Sequence, residues 1–114
     1  MHMYRATTPR HTFIFEINPD ENFEQILITY AQDGEIILEK EKSDLTFFEF
    51  ENEDGKTEYA ATLQLSQIES NMFHAGAKKM VDIQVRVLTY AGQALASDEK
   101  RIPVKRVLND EVLL

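Results

Sequence analysis

Three histidines, His2, His11 and His74, are the chain's only imidazoles. None has a second ligand at His-x-His or His-x-x-x-His spacing, the arrangement that lets one strand or helix face hold a metal. The chain has no cysteine, which removes disulfides and thiolate sites. No metal site or cofactor is expected, and the histidines are read as surface residues. Ser43, Ser66, Ser70 and Ser97 lack the Gly-x-Ser-x-Gly context of a nucleophile elbow. Gly34, Gly55, Gly76 and Gly92 are scattered among turn signals rather than gathered into a phosphate-binding loop. "ENEDGKTE" (51–58) is acidic enough for calcium, but it lacks the alternating ligands and the bidentate acid at loop position twelve. As a hairpin turn it needs no ion.

Carboxylates are plentiful. Glu35, Glu39, Glu41, Glu49, Glu51 and Glu58 fall on or beside what read as adjacent strands. A pair of acids can serve glycoside hydrolysis, but only across a cleft. A domain this small, with this much turn, has little material for one. The acids are read as a solvated sheet face, with Lys40, Lys42 and Lys56 near enough for cross-strand pairing. The remaining candidate is aromatic: Tyr30 and Tyr90, with Phe48 and Phe50, would form a carbohydrate-stacking platform if they shared an exposed face. Tryptophan is absent, and Phe48 and Phe50 read as core, which leaves Tyr30 and Tyr90 as the possible ligand platform. No enzyme activity is expected.

The elements that would hold such groups are strands. The 114 residues fit one domain, and 43% are apolar, enough for a compact core. Net charge is −8 and unevenly placed: residues 1–77 hold 15 acids against 5 bases, residues 78–114 hold 5 against 7. An acidic chain is a poor ligand for nucleic acid. The split suggests either solubility or head-to-tail complementarity between subunits. No run reaches the roughly 20 apolar residues of a membrane helix. The start, "MHMYRATTPRH", has no apolar core of a signal peptide.

"HTFIFEIN" alternates with period two, Phe13, Phe15 and Ile17 against Thr12, Ile14 and Glu16. "NPDEN" (18–22) is a turn. Strands are predicted over 24–31 and 35–41 about an Asp33-Gly34 hairpin turn. Two more, over 45–52 and 57–65, flank Asp54-Gly55. Ser66 and Glu69 make a capping-box signature, so a helical turn or two is predicted over 66–73. "MVDIQVRVLTY" (80–90) is the longest strand. The last, 93–107, is predicted to break near Asp98, and Pro103 argues for an edge or bulge because it cannot donate to a ladder. Thr-Tyr-Ala occurs at 29–31 and 89–91, which reads as two equivalent hairpins.

About seven strands with one helical crossover predict an all-β, immunoglobulin-like antiparallel sandwich, with a small β-barrel as the alternative. Residues 1–9 read as a flexible lead-in, 10–107 as the sandwich and 108–114 as a tail ending in Val112, Leu113 and Leu114. Pro103 and that apolar tail are the candidate partner-binding residues.

The text "YRATTPRHTFIFEIN…ITYAQDGEIILEKEKSDLTF…LQLSQIESNMFHAGAKKMVDIQVRVLTYAGQALASDEKRIPVKRVLNDEVL" resembles small prophage proteins of Gram-positive gut bacteria, over about residues 4–113. "LQLSQIE…FHAG" followed by "QVRV" is also similar to the N-terminal domain of phage baseplate upper proteins, though here with no coiled coil or receptor-binding part. The resemblance implies a non-enzymatic tail or baseplate accessory. Such a protein would work through contacts with other phage structural proteins or with copies of itself, in the virion or the host cytoplasm. A small ligand- or carbohydrate-binding module is the alternative function. Neither nucleic acid nor membrane is implied as a partner.

Overall fold

A computed structural model describes residues 2–76, 78–109 and 111–113. The strands are β1 (Met3–Tyr4), β2 (Arg10–Phe15), β3 (Phe23–Gln32), β4 (Glu35–Glu41), β5 (Thr46–Glu51), β6 (Thr57–Gln64), β7 (Met80–Thr89), β8 (Ala94–Ala96) and β9 (Lys100–Lys105). Two short helices, α1 (Pro19–Asn22) and α2 (Gln67–Ser70), and a 3₁₀ turn at Lys42–Asp44 complete the chain. One sheet has the order β1-β9-β7-β3-β4, with β8 also paired to β7, and the second has the order β2-β6-β5.

This is an all-β sandwich, and its strand order follows the immunoglobulin pattern. β2, β6 and β5 take the places of strands B, E and D, and β9, β7, β3 and β4 those of G, F, C and C′. The strand that lies beside B in a constant-type domain has no counterpart among the described residues. β1, its nearest equivalent, pairs instead with β9, and does so in parallel. The large sheet is therefore mixed rather than purely antiparallel.

The turns follow their residues. Asp33 and Gly34 both have positive φ, 53° and 80°, as a two-residue hairpin turn with right-handed twist requires. The Asp54-Gly55 loop is built differently: only Gly55 is left-handed, and Asn52 Oδ1 accepts the N–H groups of Asp54 and Lys56. Ser66 and Glu69 form the capping box that starts α2. The chain between 93 and 107 does break: β8 ends at Ala96 and β9 begins at Lys100.

Several expectations need correction. The lead-in predicted over 1–9 is held down at Met3 and Arg5: Met3 is 1% exposed in the core and Arg5 N–H bonds Lys105 C=O. Pro103 lies on β9, which β7 flanks along one side and β1 along part of the other. Val104 turns its N–H to Lys79 C=O. Alternation along the strand therefore points the missing Pro103 donor to the opposite side, where β1 is only beginning. Phe48 and Phe50 are not core. Phe47 packs inward, so the period-two alternation puts Phe48 and Phe50 on the outer face, rings 6.3 Å apart. There Phe48 and Ile14 lie opposite Ala60 from either side and bury it. Ile17, expected on the same face as Phe13 and Phe15, follows the end of β2 and is exposed. The two Thr-Tyr-Ala copies both begin or precede hairpins of the large sheet, but they are not equivalent: Tyr30 is inside β3 and Tyr90 is in the turn after β7.

Candidate functional site, the cleft beside strand β2

β2 is one edge of the small sheet, and β5 is the other. The Leu65 N–H bonds Pro9 C=O, which sets the phase of the β2–β6 ladder. Residues 11, 13 and 15 turn their backbone groups to β6, and Thr12 and Ile14 turn theirs outward to the open edge. Between this edge and the edge formed by β8 lies a cleft of about 470 Å³, within the roughly 300–1,000 Å³ of small-molecule and peptide-side-chain sites.

Strand register fixes its two ends. Tyr30 lies opposite Ile83, and Ile83 opposite Lys100, so His11, Ile83 and Lys100 gather at one end. Val87 lies opposite Leu95, and Phe15 packs against Phe23 at 6.0 Å, so the far end is apolar. Ser97 and Asp98 form part of the rim at the polar end.

His11 is the chemical centre of this cleft. It is 1% exposed and crosses between the sheets to Tyr30, His11 Nδ1 to Tyr30 Oη 2.6 Å. Antibody domains tie their sheets near the middle with a disulfide; here a hydrogen bond spans the gap. The Tyr30 hydroxyl hydrogen has no other acceptor among the described residues, so Tyr30 donates and Nδ1 accepts. Nε2 then carries the imidazole hydrogen. It is buried and has no hydrogen-bond partner among the described residues. Burial, and secondarily the positive charge of Lys100, holds the His11 pKa below its usual value, so the ring is neutral. Burial, with Glu69's charge, pushes the Tyr30 phenol up.

A second anchor keeps the opposite side of Tyr30 packed. Gln32, 2% exposed, takes both backbone groups of His74: its Nε2 donates to the carbonyl at 2.8 Å, and its Oε1 accepts the N–H at 2.7 Å. This holds the loop after α2 so that Phe73 lies 6.0 Å from the Tyr30 ring. Glu69 pairs with Lys40. Burial pushes its carboxyl up, but Lys40 and the Ser66 backbone and hydroxyl outweigh that and hold it below the usual carboxylate range.

The two tyrosines read from sequence as a ligand platform lie in different surroundings. Tyr30 is 0% exposed and cannot stack on a sugar: its position in β3 faces the core. Tyr90 is exposed, but Lys42 Nζ stands 5.9 Å from its ring centre, and that ammonium also donates to the carbonyls of Asp20 and Phe23. Tyr30 and Tyr90 therefore do not share one exposed face. Of the six acids, Glu35, Glu39 and Glu41 belong to β4 in the large sheet, and Glu49, Glu51 and Glu58 to the small one. Val112 is half-buried and Leu113 exposed, with Gln67 bonded to the Leu113 backbone at both its N–H and C=O. Leu114 lies outside the described residues. His2 and His74 are surface residues as read, and His11 is not. Its signal was present: it is in phase with Phe13 and Phe15 on the inward face of β2.

His11 makes stability pH-dependent in a defined window. Its folded pKa is depressed, so the unfolded chain binds the extra proton first. Stability is fully present above the ordinary histidine value near ~6.5 and is lost as pH falls below it. Urea midpoints should therefore drop between about pH 7.5 and 5.5, and His11→Phe should flatten that change. Glu69 does not confound the comparison, because its lowered pKa acts only below the carboxylate range.

Among the described residues, no helix is long and apolar enough to cross a membrane. No protein-family model and no curated protein matches this chain.

Proposed function

We propose that this protein is a non-enzymatic interaction module that accepts an extended segment of a partner along the free edge of β2. The observation that carries the reading is the cleft itself. Among the described residues no strand lies on the outer side of β2, the outward backbone groups of Thr12 and Ile14 are available to a ladder, and an apolar slot lies next to them for alternate side chains. Strand addition supplies affinity through main-chain hydrogen bonds and specificity through such slots. An open edge of this kind is a liability unless something covers it. The resemblance of residues 4–113 to prophage and baseplate proteins supports a phage structural protein as the partner, in a tail or baseplate accessory role.

The test uses phage particles from an induced lysogen that carries this chain. Mass spectrometry should find the protein at a small fixed copy number per particle. Thr12→Pro removes an outward edge donor without touching the β6 ladder, and Leu95→Lys puts a charge at the cleft wall, where Leu95 is 47% exposed. Both variants should fold, by circular dichroism, yet be depleted from particles by about tenfold or more, the loss expected when a main-chain pairing or a filled pocket is removed. Particles that form normally without the protein, or that retain both variants, overturn the reading.

A further inference from the structure

The cleft is not uniformly apolar, and that asymmetry selects what can enter it. This inference rests on the strand-acceptor reading above. We propose that His11 and Lys100 select a partner segment carrying an acidic side chain at the inward position nearest His11, with apolar side chains at its other inward positions.

Three observations converge. First, His11 lines the cleft, and its Nε2 is a buried donor without a partner among the described residues. A buried donor left unmade is costly, and an entering acceptor removes that cost. Second, Lys100 stands at the same end, fixed by its register with Ile83, and makes no ion pair among the described residues. An ammonium and an N–H at the same end of a cleft suit a carboxylate, which accepts from both. Third, the inward positions of β2 alternate as His11, Phe13 and Phe15, so an added strand opposes them with three inward residues of its own. Two of those meet Phe13, Phe15 and the Val87–Leu95 wall and must be apolar. The third meets His11. A lysine there would face Lys100, and a leucine would leave Nε2 unpaired.

Asp98 is the opposing charge on the rim. It does not outweigh Lys100, whose positive charge, after burial, lowers the His11 pKa. Asp98 instead suits a polar or basic residue just outside the inward acid.

The experiment uses the full chain, isotope-labelled, with blocked synthetic peptides at up to millimolar concentration. Val-Thr-Val-Thr-Glu presents the acid nearest His11 when it adds antiparallel to β2, and Glu-Thr-Val-Thr-Val does so when it adds parallel. Each is compared with versions carrying lysine or leucine in place of glutamate. The expected result is perturbation of the Thr12, Ile14 and Leu95 amide resonances, with one glutamate peptide binding about tenfold more tightly than its lysine and leucine versions, as a charge-assisted hydrogen bond predicts. Lys100→Met, an exposed substitution, should erase most of the preference over lysine. His11→Phe should erase the preference over leucine. Glutamate, lysine and leucine peptides that bind equally at β2 overturn the acid selection and leave strand addition standing. Peptides that perturb no β2 resonance overturn strand addition, and the selection with it.

Discussion

Replacing Tyr30 with alanine should cost about 3–5 kcal/mol, the range for removing a buried aromatic ring, and so consume much of the ~5–15 kcal/mol that stabilises a domain of this kind. The ring fills the centre of the sandwich between His11 and Phe73, and no neighbour can collapse into its place without unpacking one of them. Tyr30→Phe separates the ring from its hydroxyl. It should cost about 1–3 kcal/mol, because it leaves His11 Nδ1 as a second unpaired nitrogen in a buried ring. The double variant, His11→Phe with Tyr30→Phe, removes both partners together. It should recover most of the Tyr30→Phe loss, since two apolar groups of similar shape replace a bond rather than orphan half of it. Urea unfolding of the four proteins measures the coupling directly. If the double variant falls by the sum of the single losses, the cross-sheet hydrogen bond is not what the two residues share.

The second large effect is expected at the N-terminus. Met3→Ala should cost about 2–5 kcal/mol, as core methionine truncations do, because Met3 is 1% exposed and packs in the main cluster. Its neighbours in sequence provide the control. His2→Ala and Tyr4→Ala touch exposed side chains and should fall within about 0.5 kcal/mol of the parent. Hydrogen exchange at the Arg5 amide, bonded to Lys105 C=O, should slow in the parent and quicken in Met3→Ala. Equal stability of all three variants would show that β1 contributes nothing to the sandwich.

The two predictions concern different kinds of legibility. The hairpin at Asp33-Gly34, the capping box at Ser66 and Glu69 and the strand of "MVDIQVRVLTY" were all readable, because each depends on residues within a few positions of one another. Turn chemistry and period-two alternation are local, and the tertiary structure had only to accept them. Even the break near Asp98 was signalled locally, by a polar cluster inside a strand pattern.

Other features depend on which sheet a strand joins, and that is a long-range choice. "FFEF" can alternate inward from either phenylalanine. Only pairing with β6 and packing on the core decide that Phe47 goes in while Phe48 and Phe50 go out. Tyr30 and Tyr90 share a tripeptide, yet one is inside a central strand and the other in a turn. β4 and β5 follow each other in the chain and were read as neighbours, but they belong to different sheets, which divides the acids between two surfaces. Residue type alone puts His11 at the surface, where histidine usually is, although its phase with Phe13 and Phe15 points inward.

What the sequence by itself determined about this protein is therefore an all-β sandwich, its hairpin turns, its helical crossover and its uneven charge. Each of these follows from the backbone preferences of near neighbours or from a count. Only the tertiary structure decided that the N-terminal residues join the large sheet rather than cover β2. That choice leaves the β2 edge open, and it puts a histidine donor and a lysine, 89 positions apart in the sequence, at the same end of one apolar cleft. Such a juxtaposition has no local signal, because it arises from two sheets meeting face to face.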